Sequence, residues 1–97
     1  MKQMIVTVRF FTTLRELARK REEEVELESA VTVGDLMSIL SEKHGRQFTD
    51  YLYDQKGNVR SYLMFLVNGK SITTLQGLKT ELRDRDKVAI LPPVGGG

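Results

Sequence analysis

A single long helix signal, set among segments that alternate like β-strands, most constrains the fold of this 97-residue chain. Thr32 is placed as a helix N-cap, and Asp35 completes the acidic form of a capping box. Apolar residues then follow the helical period up to Gly45, where the sequence predicts a left-handed helix end. One amphipathic helix must bury its apolar face against another layer, and the other segments indicate that this layer is a sheet.

Four segments have the patterns of strands. Residues 4–10 and 24–28 alternate between apolar and polar side chains, as half-buried strands do. Residues 63–67 are continuously apolar, which is typical of a strand buried on both faces, and residues 88–91 form a last strand. The tight-turn signal Asn68-Gly69 returns the chain into a short strand. This order predicts an α+β roll, with a mixed sheet of about five strands and one main helix packed across it.

The connecting segments are less regular. Residues 11–18 predict a short helix after the first strand, capped by Thr12 or Thr13. Residues 46–62 are the least regular part, although their aromatic residues indicate that the segment packs against the body. The core anchors predicted after the hairpin are Ile72, Leu75 and Leu78.

The composition is that of one soluble globular domain, with 40% hydrophobic and 29% charged residues. The net charge of +2 is too small to indicate a nucleic-acid partner, and no segment has the pattern of a signal peptide or a membrane span. We therefore expect a cytoplasmic protein with no nucleic-acid and no membrane partner. The absence of cysteine excludes disulfides, thiolate metal sites and thiol nucleophiles.

The side chains contain no recognisable catalytic set. There is no phosphate-binding loop, dinucleotide-binding glycine motif, HExxH motif or nucleophile elbow. His44 is the only histidine, and its place in the last turn of the main helix favours a contact with the helix dipole over a catalytic role. We expect no catalytic residue, no bound metal and no bound cofactor.

The C-terminus is the most unusual stretch of the chain. The last strand runs into Pro92 and Pro93, which cannot continue it, and three glycines follow at the end. The sequence predicts a folded domain over residues 1–93 and a flexible tail over residues 94–97, with a reach of roughly 14 Å. The tail is either a frayed end or a slim arm that carries the carboxylate of Gly97 into a channel of a partner enzyme.

Strand parity places two apolar residues near this tail away from the core. If Val88 and Ile90 face the core, Leu91 faces the opposite side of the sheet. Phe11 lies one position past Phe10, so it also leaves the core side unless the short helix covers it. Exposed together, Phe11 and Leu91 would form a docking patch for a partner.

These features together resemble a known family. The element order is that of the ubiquitin-like β-grasp fold, and four segments resemble the small subunit of molybdopterin synthase (MoaD-like) and the small archaeal ubiquitin-like modifiers. They are residues 8–17 (VRFFTTLREL), 31–36 (VTVGDL), 65–69 (FLVNG) and 86–97 (DKVAILPPVGGG). A Gly-Gly end alone is a weak signal, whereas its combination with the Pro-Pro-Val motif and the early Phe-Phe pair is specific.

The resemblance implies a sulfur carrier. An ATP-dependent adenylating enzyme of the ubiquitin-activating type adenylates the carboxylate of Gly97, and a sulfur donor converts it to a thiocarboxylate. The tail then delivers sulfur to the large subunit of molybdopterin synthase for molybdenum cofactor biosynthesis. By the same likeness, the arm inserted into the partner would comprise Val94, Gly95 and Gly96. The docking surface would comprise Phe11, Leu91, Pro92 and Pro93.

Two alternatives stay open at this point. Archaeal relatives also join their terminal glycine to lysines of other proteins, so the chain could be a covalent protein modifier. A non-covalent β-grasp adaptor with an idle tail is the third interpretation. The sequence departs from the family pattern at Arg85, which stands where glycine is frequent, so a positive φ there would cost about 1 kcal/mol or more. The long segment 46–62 favours the archaeal branch.

Overall fold

The computed structural model describes residues 3–28 and 30–92. The elements are β1 (Gln3–Phe10), α1 (Thr12–Ala18), β2 (Glu22–Glu28), α2 (Val33–His44), α3 (Arg46–Leu52), β3 (Met64–Val67), β4 (Lys70–Ser71) and β5 (Lys87–Leu91). Two short 3-10 turns, Ile72–Thr74 and Gly77–Lys79, lie between β4 and β5. Within the described ranges, no helix has both the length and the apolar character needed to cross a membrane.

The strands form one mixed sheet of five, in the order β2-β1-β5-β3-β4. The first and last strands are parallel neighbours, with Val8 opposite Val88 and Phe10 opposite Ile90. The other three pairs are antiparallel. The prediction of a mixed sheet of about five strands is therefore confirmed, and the strand that leads to the C-terminus lies at its centre.

One cluster of buried side chains joins the sheet to the three helices. Alternate strand residues such as Val6 and Ile90 meet Leu36 of α2 and Phe48 of α3 in this cluster. We call this side of the sheet the covered face. The intervening residues point to the opposite side, which we call the open face because its side chains in β1, β3 and β5 are exposed or half-buried.

The start of the main helix is as the sequence predicts. Thr32 Oγ1 accepts a hydrogen bond from the amide of Asp35 at 3.1 Å, and Asp35 Oδ2 accepts one from the amide of Thr32 at 3.0 Å. The predicted left-handed end is wrong, since Gly45 has φ 92° and ψ −166°. Gly45 joins α2 directly to α3, and this conformation with positive φ and extended ψ is open essentially to glycine alone.

The prediction of an irregular segment after Gly45 is wrong over its first half. Arg46–Leu52 is a helix, anchored by Phe48 and Leu52, which are four positions apart and fully buried. A helix of two turns with two anchors is too short to give a periodic signal in the sequence. The expectation that the segment packs against the body is confirmed, because Tyr51 also packs against the core.

Two smaller predictions also need correction. The N-cap position of α1 is Phe11, whose backbone is extended at φ −129° and ψ 149°, and no side chain makes a capping hydrogen bond there. The prediction that Thr12 or Thr13 caps the helix is therefore wrong. Of the predicted anchors after the hairpin, Ile72 is buried, but Leu75 and Leu78 are 40% and 38% exposed. They lie in or beside 3-10 turns, which are too short to present several residues to one core.

The turn before β5 fixes where that strand begins. Arg85 has φ 73°, which is the strained left-handed conformation anticipated for it. The flanking Asp84 accepts a hydrogen bond from the amide of Ile5 at 2.9 Å, and Asp86 accepts one from the side-chain amide of Asn68 at 2.8 Å. The turn thus ties β5 to β1 on one side and to the β3–β4 hairpin on the other.

Candidate functional site

The last strand, β5, is the central strand of the sheet, and it ends where β1 ends and β3 begins. Leu91 pairs with Met64 of β3, and Pro92 follows as a half-buried residue. The rest of the predicted tail lies outside the described residues: Pro93, Val94, Gly95, Gly96 and Gly97. Their roles as docking residue, inserted arm and reacting group stay predictions, as does the boundary between domain and tail.

The open face carries apolar side chains around the end of β5. The strand register places Ala89 between Arg9 of β1 and Leu66 of β3, in one row across the sheet. Leu91 is the next residue of β5 on this face, and Phe11 follows β1 at the same end. We call the following half-buried residues the apolar patch: Phe11, Leu66, Ala89 and Leu91.

The apolar patch lines a concavity of about 580 Å³. Arg9 and Lys87 also line this concavity, together with the hairpin residues Asn68 and Gly69. The guanidinium of Arg9 lies 5.7 Å from the centroid of the Phe11 ring, within the range of a cation–π contact. The structure therefore brings Phe11 and Leu91 into one concave surface.

The alternative that α1 covers Phe11 does not hold. The buried residues of α1 are Leu14 and Ala18, which belong to the core on the covered face. Phe11 precedes the helix and stays half-buried. Its ring is thus available on the open face.

Sequence reasoning missed half of the apolar patch. Parity from Leu91 would have found Ala89, but Leu66 could be added only once the β3–β5 register was known. Met64, opposite Leu91 and 41% exposed, was missed for the same reason. The register between strands far apart in the chain is set by the core and the turns, which no local pattern in the sequence records.

The only histidine belongs to the packed structure of the covered face. His44 Nε2 lies 2.8 Å from a carboxylate oxygen of Glu23, and the ammonium of Lys43 contacts the other oxygen. The imidazole stacks on Phe48 with centroids 4.9 Å apart and meets Phe10 edge-on at 5.9 Å. With a side chain that is 11% exposed, His44 links strand β2 to α2 and α3.

Lys43 and His44 stabilise the negative charge of Glu23. Burial raises the pKa of the Glu23 carboxyl, but hydrogen bonds and charges from Lys43 and His44 outweigh that effect and hold the pKa below its ordinary value of 4.5. Within residues 3–28 and 30–92, no group of three or more histidine, aspartate or glutamate side chains is placed to hold a metal ion. The open face is therefore the candidate functional site, as a surface for recognition.

Comparison with known proteins gives a consistent set of relatives. A model of the ThiS family matches residues 8–97. The chain is 33% identical to small archaeal modifier protein 3 of Haloferax volcanii, over 97% of this chain and 100% of that protein. It is 34% identical to the "Putative sulfur carrier protein" of Archaeoglobus fulgidus, over 69% of this chain and 75% of that protein.

A solved structure shows the same fold. The "Putative molybdopterin converting factor, subunit 1" of Pyrococcus furiosus is 30% identical and superposes with a TM-score of 0.73, over 94% of this chain and 99% of that one. The ubiquitin-like β-grasp fold expected from the sequence is thereby confirmed. These similar proteins are small ubiquitin-like carriers or modifiers.

Proposed function

Because the chain belongs to the ThiS family, we propose that it is a sulfur carrier whose reacting group is the C-terminal carboxylate of Gly97. An adenylating enzyme of the ubiquitin-activating type transfers AMP from ATP to this carboxylate and releases pyrophosphate. Hydrosulfide from a sulfur donor attacks the acyl carbon and expels AMP, which leaves a thiocarboxylate. We expect the reaction in the cytoplasm, because the activating step consumes ATP.

The proposed acceptor is the large subunit of molybdopterin synthase. Transfer of the sulfur to the pterin precursor, with oxygen supplied by water, returns the carboxylate of Gly97 for another cycle. The likeness to a protein named as a molybdopterin converting factor supports this acceptor.

The position of β5 is the observation that carries the proposal. This strand lies at the centre of the sheet, and its last residue, Leu91, belongs to the apolar patch. An enzyme that covers the patch therefore also holds the residue from which the tail continues. Aromatic and aliphatic side chains with partial exposure are typical centres of protein interfaces, and Phe11 supplies the aromatic one.

A carrier of this kind needs no catalytic side chain. A carboxylate is a poor electrophile because expelling its oxygen is unfavourable, and adenylation supplies a better leaving group. The partner enzymes provide the acids, bases and nucleotide site. What the carrier contributes is access: Gly95, Gly96 and Gly97 have no side chains, so the acyl group can pass through a channel only as wide as the backbone.

Intact-mass measurement tests this function. The protein is incubated with the activating enzyme from its own cells, ATP and sulfide, and we expect a mass increase that equals the exchange of one oxygen for sulfur. Omission of ATP should abolish the increase. A chain lacking Gly96 and Gly97 is the matched control and should keep its original mass. An unchanged mass of the full chain, with an enzyme shown to be active, would contradict the proposal.

A second candidate, protein modification, is favoured by the likeness to the Haloferax modifier. The same acyl adenylate would be attacked by the ε-amine of a substrate lysine, which forms an isopeptide bond and releases AMP. Lysates digested with trypsin should then contain lysines that carry residues 88–97 as a remnant, because Lys87 is the last basic residue of the chain, and these should vanish when Gly96 and Gly97 are deleted. Their absence at rest and under stress excludes this candidate, whereas full function of the deleted chain would indicate an adaptor.

A further inference from the structure

We propose that the open face selects partners whose docking segment places an acidic side chain beside an apolar anchor, and that Arg9 and Lys87 read the acidic side chain. The inference rests on the proposed function for the nature of the partner, an activating or acceptor enzyme. Its physical basis lies entirely in described residues of the open face.

Arg9 and Lys87 stand on adjacent strands at the centre of the sheet. In the parallel register of β1 and β5, Thr7 lies opposite Lys87 and Arg9 lies opposite Ala89. The two cations are therefore diagonal neighbours on the open face, offset by two residues in the strand register. Both line the same concavity as the apolar patch.

Both positive charges are available to a partner. Arg9 Nε lies 4.0 Å from a carboxylate oxygen of Glu22, and the two side chains are 59% and 60% exposed. Such an exposed ion pair contributes little to stability, so a partner carboxylate can replace Glu22 beside Arg9 at small cost. For Lys87, no carboxylate lies within 4.0 Å of the ammonium in the part of the chain that the structure describes.

The arrangement fits an apolar anchor followed by a carboxylate. The guanidinium of Arg9 is held over the ring of Phe11, at the border between the charged and apolar parts of the concavity. A planar guanidinium can bind a carboxylate through two parallel hydrogen bonds, and a lysine beside it adds a second charge. A leucine or aromatic side chain on Leu66 and Leu91 would thus place a neighbouring glutamate or aspartate within reach of both cations.

A basic partner would meet a different part of the sheet. Glu22 and Glu24 lie opposite Arg9 and Thr7 on the edge strand β2, and both are exposed. Neither glutamate lines the concavity. A lysine-rich segment attracted by β2 would therefore bind away from the apolar patch, so that the two kinds of partner leave different footprints.

Peptide titration of the isotope-labelled full chain, followed by NMR, tests the proposal. Three peptides share one apolar sequence and carry glutamate, lysine or glutamine at the flanking positions. We expect the glutamate peptide to shift amide signals of Arg9, Phe11, Leu66, Lys87, Ala89 and Leu91. Its affinity should exceed that of the lysine peptide roughly tenfold, and added salt should reduce the difference.

Charge reversal provides the matched comparison. The double variant Arg9→Glu/Lys87→Glu should prefer the lysine peptide, whereas Lys56→Glu/Lys79→Glu, at exposed positions outside the concavity, should behave like the original. Thermal unfolding checks that both variants fold. Equal or tighter binding of the lysine peptide at the same six residues, or no shift at those residues with the glutamate peptide, would overturn the proposal. Thiocarboxylate formation is measured without peptides, so a failure here is distinguishable from a failure of the carrier function.

Discussion

The two faces of the sheet are built from the same strands but differ in what their side chains do. On the covered face, Val88 and Ile90 of β5 are completely buried. On the open face, Ala89 and Leu91 of the same strand are only half-buried. Alternate residues of one strand thus stabilise the fold and form the candidate docking surface.

The difference separates the residues on which the stability of this domain depends from those of the candidate docking surface. Residues on the open face can vary to suit a partner while the core stays intact, because neighbouring positions of a strand point to opposite sides. The same division predicts that a substitution on the covered face lowers the free energy of unfolding, whereas a substitution at the adjacent residue on the open face weakens partner binding.

The largest expected difference is between Phe65 and Leu66, adjacent residues of β3. Phe65 is 4% exposed in the core, so Phe65→Ala should lower the free energy of unfolding by about 3–5 kcal/mol. Leu66 is half-buried on the open face, so Leu66→Ala should cost less than about 1 kcal/mol. Denaturant unfolding measures both values, and equal losses would mean that the two faces are not separated as described.

The same pair should behave in the reverse way toward a partner. Leu66→Ala should raise the KM of the activating enzyme for the carrier and leave kcat nearly unchanged, because the residue lies on the patch and away from the reacting carboxylate. An unaltered KM would remove Leu66 from the docking surface.

A smaller effect is expected at Glu23, whose neighbour Glu24 serves as the control. Glu23→Gln removes the buried carboxylate that contacts Lys43 and His44 and should cost about 1–3 kcal/mol at neutral pH, whereas Glu24→Gln should cost almost nothing. Since Lys43 is half exposed, water compensates part of the loss.

The contribution of Glu23 should depend on pH with a definite sign. Its pKa is lowered in the folded protein, so the unfolded chain binds the proton more readily. The stabilisation is therefore present above the ordinary pKa of 4.5 and is lost as the pH falls below it. Denaturant unfolding of the original and of Glu23→Gln should give converging stabilities on acidification, and a constant difference would contradict this assignment.

Sequence patterns that involve residues close together in the chain correctly predicted several elements of the fold. The capping box of Thr32 and Asp35 and the alternation along β1 depend on residues near one another in the chain, and both are observed. The two-residue turn at Asn68 and Gly69 is observed as well, with positive φ at both positions. The sequence therefore sufficed for the order of the strands and of α1 and α2. It missed α3, and its prediction that residues 63–67 are buried on both faces is wrong, because Met64 is exposed and Leu66 half-buried on the open face.

Features that depend on distant contacts could not be predicted. Glu23 shares the parity of Val25 and Leu27, but no pattern within the strand reveals the partners of its carboxylate. Only the placement of α2 brings Lys43 and His44 beside it. Leu66 joins Phe11 in the patch only through the order of β1, β5 and β3. Both features follow from strand register and helix placement, which depend on packing contacts between segments far apart in the chain.

The smallest expected effect on stability concerns the turn at Arg85, immediately before β5. Arg85 has a positive φ of 73°, so Arg85→Gly should relieve strain and raise stability by up to about 1 kcal/mol, reduced by the greater freedom of glycine in the unfolded chain. The parallel substitution Arg83→Gly, at a residue without positive φ, should be neutral or destabilising. A loss of stability in Arg85→Gly would show that strain at this position is unimportant.

The central claim is that the folded body presents the main-chain acid of Gly97 to a partner. ATP–pyrophosphate exchange by the activating enzyme tests it most directly, with the original chain compared with a chain that has one leucine added after Gly97. We predict that the original chain supports exchange and that the extended chain, equally stable and with the same open face, does not. Equal exchange with both chains would contradict the account.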